Sequence, residues 1–336
     1  MIPVTLLTGF LGAGKTTLLN RLLAAQPATR FAIVENEFGA AGIDGSLISA
    51  QATRVVELSN GCICCSVRGE LAEALLALAA QRERGELAFD HLVIETTGLA
   101  DPGPVIQTFF WEAGLREVFQ LDAVITLVDV CHAAAQLARE PVAAAQVAYA
   151  DWIVLTKTDL ADAGDLPARL AAINARAPRL DVRDLDAHWP RLLASGGFSL
   201  NEKGLPERPA FAATSAPRNA FGQRPARSWA DAIGSVLLEQ AAPLDLDAVS
   251  DFVDRLIGEH ANDLLRYKGI LALAGEPRRL IFQGVHRLAG FDYGRPWQDD
   301  EARDSRIVLI GRALPADALR AGFAACVAST VARPGN

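Results

Sequence analysis

The run Gly9-Phe10-Leu11-Gly12-Ala13-Gly14-Lys15-Thr16 has the GxxxxGK(S/T) spacing of a phosphate-binding loop. It lies between the apolar stretch Val4-Thr5-Leu6-Leu7 and the helix-prone stretch Thr17-Leu18-Leu19-Asn20-Arg21-Leu22-Leu23. A strand that feeds a glycine-rich turn and then a helix aims backbone N–H groups and the positive helix end at one anion. Gly9, Gly12, Ala13, Gly14 and Thr17 would then line the phosphates, Lys15 would reach the β- and γ-phosphates, and Thr16 would offer its hydroxyl to Mg2+. The chemistry this predicts is binding and cleavage of a nucleoside triphosphate.

Two further stretches fit that chemistry. Leu92-Val93-Ile94-Glu95-Thr96-Thr97-Gly98 closes an apolar run with an acid and sets a glycine three residues later. A P-loop enzyme needs a carboxylate in the Mg2+ shell and a backbone N–H at the γ-phosphate at such a place. Glu95 and Gly98 therefore join Lys15 and Thr16 as candidate catalytic residues. Thr156-Lys157-Thr158-Asp159 follows the apolar run Trp152-Ile153-Val154-Leu155 and resembles the guanine-reading TKxD motif. A buried carboxylate at Asp159 would accept from guanine N1–H and the 2-amino group, whereas adenine has an acceptor at N1 and no amine at C2, so ATP is rejected. Lys157 would lay its stem along the base. Thr156 stands where Asn is commoner, so a weaker tie behind the base is expected. GTP and GDP are the expected ligands, and an ATP-dependent P-loop enzyme stays open as an alternative.

Gly61-Cys62-Ile63-Cys64-Cys65 places three thiols within four positions. Thiolates are good ligands for Zn2+ or Cu(I), and a site just before a helix lowers thiol pKa. So short a CxCC cannot close four ligands around an ion, which suits an open, transferable site better than a structural finger. Buried small hydrophobes and a redox pair stay open as other readings. Glu37 and Asp44, in the acid- and glycine-containing stretch Glu35–Asp44, could reach a metal or the attacking water, or form a plain solvated turn. Cys131 and Cys326 sit in apolar contexts and are expected in the core. The histidines at 91, 132, 188, 260 and 286 are scattered, with no histidine-rich tract.

These residues need a scaffold that brings strand ends together. The chain alternates short apolar runs (Phe31–Val34, Val55–Leu58, Leu92–Ile94, Ala123–Val128, Ile153–Leu155) with helical patterns such as Leu71/Leu75/Leu78 and Leu166/Leu170/Ile173. Near-continuous apolar strands between helices predict a doubly wound α/β domain on a mostly parallel sheet over residues 1–186. Residues 187–230, rich in Gly, Pro, Ser and Arg, read as a linker or mobile loop. Residues 231–336 read as a smaller α+β domain. Its strands fall near 233–238, 269–273, 280–285 and 307–310, with a helix opened by Asp247 and a last helix after Pro315. With 51% hydrophobic residues in 336, each domain can build a core. A net charge of −8 without a basic cluster excludes the electrostatic footprint of a nucleic-acid or anionic-membrane binder. Five cysteines do not form a disulfide framework at this length, and no signal or spanning segment is seen, so a cytoplasmic protein is expected.

Taken in order, GFLGAGKTTLLN, ENEFG, GID, GCICC, ETTGLADP and TKTD resemble the CobW-type G proteins, relatives of the nickel-insertion GTPases of urease and hydrogenase maturation. Leu264–Leu271, Phe282–His286 and Arg303–Arg312 resemble the CobW C-terminal domain. The resemblance implies a GTP-hydrolysing metallochaperone, slow unless stimulated, that loads zinc or cobalt onto a client metalloprotein. It places the metal on Cys62, Cys64 and Cys65, to which Glu37 is added as a candidate ligand from the acidic stretch read above, and it places Asn174 beside the guanine. A non-hydrolysing GTP-bound metal sensor stays open, as does a homodimer. Two departures stand out. Ala40 follows NEFG where relatives carry an acid, and the stretch before the C-terminal domain lacks the histidines many members hold there.

Overall fold

The computed structural model describes residues 1–36, 54–58, 67–196 and 233–328. Glu37, Ala40, Asp44, Cys62, Cys64 and Cys65 lie outside the described residues. Two compact units emerge, one formed before residue 197 and one from Ile233 onward.

In the first unit, β1 (Ile2–Gly9), β2 (Phe31–Asn36), β3 (Arg54–Leu58), β4 (His91–Thr96), β5 (Phe119–Asp129), β6 (Trp152–Thr156) and β7 (Arg179–Asp181) pair in parallel in the order β3-β2-β4-β1-β5-β6-β7. The intervening helices are α1 (Lys15–Ala25), α2 (Val67–Glu83), α3 (Gly103–Trp111), α4 (Ala113–Val118), α5 (Ala133–Arg139), α6 (Pro141–Tyr149) and α7 (Leu166–Ile173). Leu7, Ile33, Val93, Ile125, Leu127 and Val154 share one core with Leu18, Leu19, Leu22 and Leu23 of α1. Their strand neighbours Leu6, Val34, Ile94, Val124 and Leu155 point to the opposite face and are buried as well. Burial on both faces is why these strands lack alternation in sequence. The helical patterns fall as expected, since Leu71, Leu75, Leu78, Leu166, Leu170 and Ile173 are all buried.

The segment from 187 to 196, read above as the start of the linker, packs into this unit instead. Trp189 and Leu192 are fully buried in the α1-side core. The Trp152 indole donates to Ser195 Oγ at 2.7 Å, and the backbone N–H groups of Ser195 and Gly196 donate to Asp122. The polar, glycine-bearing composition of the segment hid two large anchors.

His91 opens β4 under the Phe31 ring, with Nε2 2.8 Å from Thr5 Oγ1. Burial pushes it from an ordinary 6.5 down to about 4. Between those values the folded chain binds fewer protons than the unfolded one, so stability is complete above pH 6.5 and falls as the pH drops toward 4. A shift of this size corresponds to about 3 kcal/mol. Urea unfolding at pH 7 and pH 4.5 should show a stability loss that is smaller by about 2 kcal/mol in His91→Gln, because pH 4.5 has not yet passed below the folded value. Identical losses in the two proteins would remove His91 as the cause.

The second unit pairs β8 (Ile233–Gln240), β9 (Leu264–Leu271), β10 (Arg278–Val285), β11 (Leu288–Pro296) and β12 (Ser305–Arg312) as an antiparallel sheet in the order β11-β10-β9-β12-β8. The helices Leu246–His260 and Ala316–Ala324 share a core with Val236, Leu238, Tyr267, Leu280, Phe282, Ile307 and Leu309. The first helix is capped by Asp245, whose carboxylate accepts from Ala248 N, and Asp247 lies in its first turn. Strand β11 had no apolar signature because it is an edge strand with Phe291 and Tyr293 exposed. No helix among the described residues is long and apolar enough to cross a membrane.

Candidate functional site

The sequence-predicted phosphate loop joins β1 to α1 at the carboxyl edge of the sheet, where doubly wound folds bind ligands. Gly12 (φ 73°) and Gly14 (φ 93°) take left-handed backbone that side-chain-bearing residues avoid, and Gly14 is the N-cap of α1. No side chain caps this helix and no acid lies in its first turn, so its positive end is left for an anion. Lys15, 9% exposed, turns its ammonium back onto the Gly9 carbonyl at 3.0 Å. Ala13 is buried and Thr17 is exposed at the mouth of the loop.

Glu95 sits near the end of β4 in register with Leu7 of β1 and Glu35 of β2. The Thr16 hydroxyl donates to Glu95 Oε1 at 3.2 Å, which joins the loop hydroxyl and the strand-end acid. Two hard oxygen donors side by side at a phosphate loop fit Mg2+. Beyond Glu95, Gly98 presses against the loop. A Cβ there would lie 2.5 Å from Leu11 N and 2.7 Å from Leu11 Cα, so only glycine allows this approach. The turn is held from behind by Gln146, whose amide donates to the Gly98 and Ala100 carbonyls at 3.1 Å each.

The TKTD segment leaves β6 beside the same loop. Thr156 donates its hydroxyl to the Ala13 carbonyl at 2.9 Å, so the weak tie expected of this threonine is instead a direct, buried hydrogen bond to the phosphate loop. Lys157 adopts φ 57° and places its ammonium 2.7 Å from Asp129. Asp159, expected to be buried, is exposed at the rim. Thr158 donates to Asp181, and Arg183 grips the same carboxylate with two nitrogens. The Arg183 guanidinium, its backbone N–H and the Thr158 hydroxyl hold Asp181 down at about 2.

Asn174 takes a different place from the one the resemblance implied. Fully buried, it donates to the carbonyls of Val147, Ala148 and Ala150 and accepts from the N–H groups of Arg176 and Ala177. It lies before β7, at the amino edge of the sheet, and its amide is spent on joining the turn at 174–177 to the C-terminal end of α6. The strand exit at 181–183 is the segment that reaches the carboxyl edge beside TKTD. Cys131 also departs from expectation: it is exposed, whereas Cys326 is buried with its thiol on the carbonyls of Ala248 and Gly322. Asp129 and Gln146 were missed by the sequence reading. Asp129 carried the same signal as Glu95, an acid closing an apolar strand, while a lone glutamine inside a helix carries none.

The whole chain has known relatives. Residues 3–181 match the family model described as CobW/HypB/UreG, nucleotide-binding domain, and residues 233–327 match the Cobalamin synthesis protein cobW C-terminal domain. The zinc chaperone YjiA of Escherichia coli is 47% identical over 96% of this chain and 98% of its own length. The zinc chaperone CobW of Pseudomonas aeruginosa is 34% identical, with 93% and 88% covered. Among solved structures, the crystal structure of Zn(II)-bound YjiA GTPase from E. coli superposes with a TM-score of 0.76 at 43% identity, over 97% of this chain and 98% of that one. A phosphate loop tied to a strand-end acid and to a TKxD segment, in a chain matched along both units, has one reading: this protein belongs to the CobW family.

Proposed function

We propose that this chain is a cytoplasmic zinc metallochaperone that hydrolyses GTP to GDP and phosphate and uses the nucleotide state to control a thiolate-held zinc ion destined for a client metalloprotein. The observation that carries the reading is the continuity of the carboxyl edge. Strands β3, β2, β4 and β1 stand side by side, with Leu58, Asn36 and Thr96 in register. Neighbouring strands are ~4.8 Å apart, so the exit of β3 toward Cys62 starts ~14 Å from the phosphate loop. The exit of β2 toward Glu37 lies between them. An ion on Cys62, Cys64 and Cys65, with Glu37, would be cargo within reach of loops that the γ-phosphate orders. That the E. coli relative is named a zinc chaperone supports zinc over cobalt as the cargo proposed for this chain.

The chemistry follows from the residues. The N–H groups of the loop and α1 cradle the phosphates, and Lys15 exchanges the Gly9 carbonyl for phosphate oxygens. Thr16 and Glu95 are the residues that would hold Mg2+, which when bound neutralises charge on the β- and γ-phosphates. Gly98 presents its N–H to the γ-phosphate, and Lys157 and Asp159 take the guanine plane and edge. Catalysis here is positioning and electrostatics, which makes unstimulated turnover slow.

Zinc affinity measured by competition with a chromophoric chelator should differ at least about tenfold between the GDP form and a form with a non-hydrolysable GTP analogue, a coupling of ~1.4 kcal/mol. The triple variant Cys62→Ser, Cys64→Ser, Cys65→Ser should lose that difference and keep GTP binding. Equal zinc affinities in the two nucleotide states of the unmodified protein would sink the chaperone mechanism and leave the GTPase standing.

A further inference from the structure

We infer that Asp129 is a positioning residue for guanine: it fixes Lys157 so that the lysine stem forms the shelf on which the base lies. The inference rests on the reading of Thr156–Asp159 as the base-binding segment. Asp129 closes β5 directly across from Thr156 on β6 and is 1% exposed. Both of its oxygens are engaged. Oδ1 accepts from Cys131 N at 2.9 Å, which shapes the turn after β5, and Oδ2 takes the Lys157 ammonium at 2.7 Å. The main chains are joined as well, with Val130 N donating to the Thr156 carbonyl at 3.1 Å. A carboxylate buried this deeply keeps its cation, because losing it would strand a charge in the interior.

The consequence is geometric. Lys157 has left-handed backbone, so its side chain leaves β6 in a direction that ordinary strand geometry does not offer. With the ammonium anchored on Asp129, the four-carbon stem is held along the β5–β6 edge while about a third of the side chain stays open to solvent. An aliphatic stem with its charged end already neutralised is an apolar surface, suited to the face of a purine. Asp159, two residues on, is then left to meet the purine's edge. Asp129 touches neither base nor phosphate. It acts through Lys157, by setting the height and direction of that surface.

Asp129→Asn keeps the shape and the contact to Cys131 N but weakens the hold on the ammonium. The expected result is a rise of about tenfold in KM for GTP and in Kd for GDP, with kcat at saturation within about twofold of the unmodified chain. Inosine diphosphate, which lacks the 2-amino group, should lose affinity by the same factor, since the shelf acts on the ring plane. Asp129→Glu, which keeps the charge but shifts the ammonium, should lie between the two. A purely structural role would lower the melting temperature and leave the KM of the folded fraction unchanged, and that result would overturn the inference. So would a fall in kcat at constant KM, or loss of GDP affinity without loss for inosine diphosphate. If the unmodified chain binds ATP as tightly as GTP, the base-binding reading itself fails, and the inference fails with it. If it prefers GTP and both Asp129 variants bind GDP normally, only the role given to Asp129 falls.

Discussion

Gly98→Ala should lower kcat for GTP about 100-fold while changing GDP affinity by no more than about threefold, because the role proposed for Gly98 sets the fault at the γ-phosphate and spares the rest of the cradle. The added methyl would sit 2.5–2.7 Å from backbone and side-chain atoms of Leu11. Neither side can yield cheaply. Leu11 belongs to the phosphate loop, whose shape is set by Gly12 and Gly14, and the Gly98 turn is held from behind by Gln146 through two carbonyls. Overpacking of this kind costs ~1–3 kcal/mol, relieved only by moving the turn away from the loop. A displacement near 1 Å is enough to cost about 100-fold when a reaction depends on position alone. Single-turnover hydrolysis with saturating enzyme separates the chemical step from binding. An alanine variant that hydrolyses at the normal rate would mean that the 98 N–H has no part in the transition state.

The sequence made some of this legible and concealed the rest, for identifiable reasons. Lys15, Thr16 and Glu95 could be named because glycine spacing, a strand end and an acid are local patterns, and the fold joins Thr16 to Glu95 by a hydrogen bond. The parallel sheet was legible from apolar runs because a strand covered on both faces has nothing polar to interrupt it. The misjudged residues were those whose role depends on what lies across the fold. Asn174 looked available and is buried among carbonyls at the C-terminal end of α6. Thr156 looked like a poor substitute for Asn, yet a hydroxyl is long enough because the Ala13 carbonyl comes to it. Trp189 sat in a stretch with linker composition and proved to be core. A residue's own type and neighbours set its propensity, whereas its partner 27 or 143 positions away is set by topology.

Asp159→Asn should weaken GTP binding about 100-fold, raise affinity for xanthosine triphosphate by a similar factor, and leave ATP as poor a ligand as before. Two charge-assisted hydrogen bonds, one to N1–H and one to the 2-amino group, are worth ~1.5 kcal/mol each at the low end of their range, or about 100-fold together. The low end applies because Asp159 is exposed, so water competes for the carboxylate and the penalty for a wrong base is smaller than a fully buried acid would impose. Xanthine has a carbonyl at C2 where guanine has its amine, and the asparagine amide can donate to it. The substitution should stay local. Thr156 remains tied to Ala13, Lys157 to Asp129, and Thr158 to the Asp181–Arg183 pair, so the segment leading into 159 is fixed independently of its carboxylate. Competition binding with GDP, xanthosine diphosphate and ADP on the unmodified and Asp159→Asn proteins reads all three effects. Weaker GDP binding with no gain for xanthosine diphosphate would mean that residue 159 supports the loop without reading the base edge. The guanine specificity would then have to come from backbone at the exit of β7, where Asp181 and Arg183 hold the neighbouring wall.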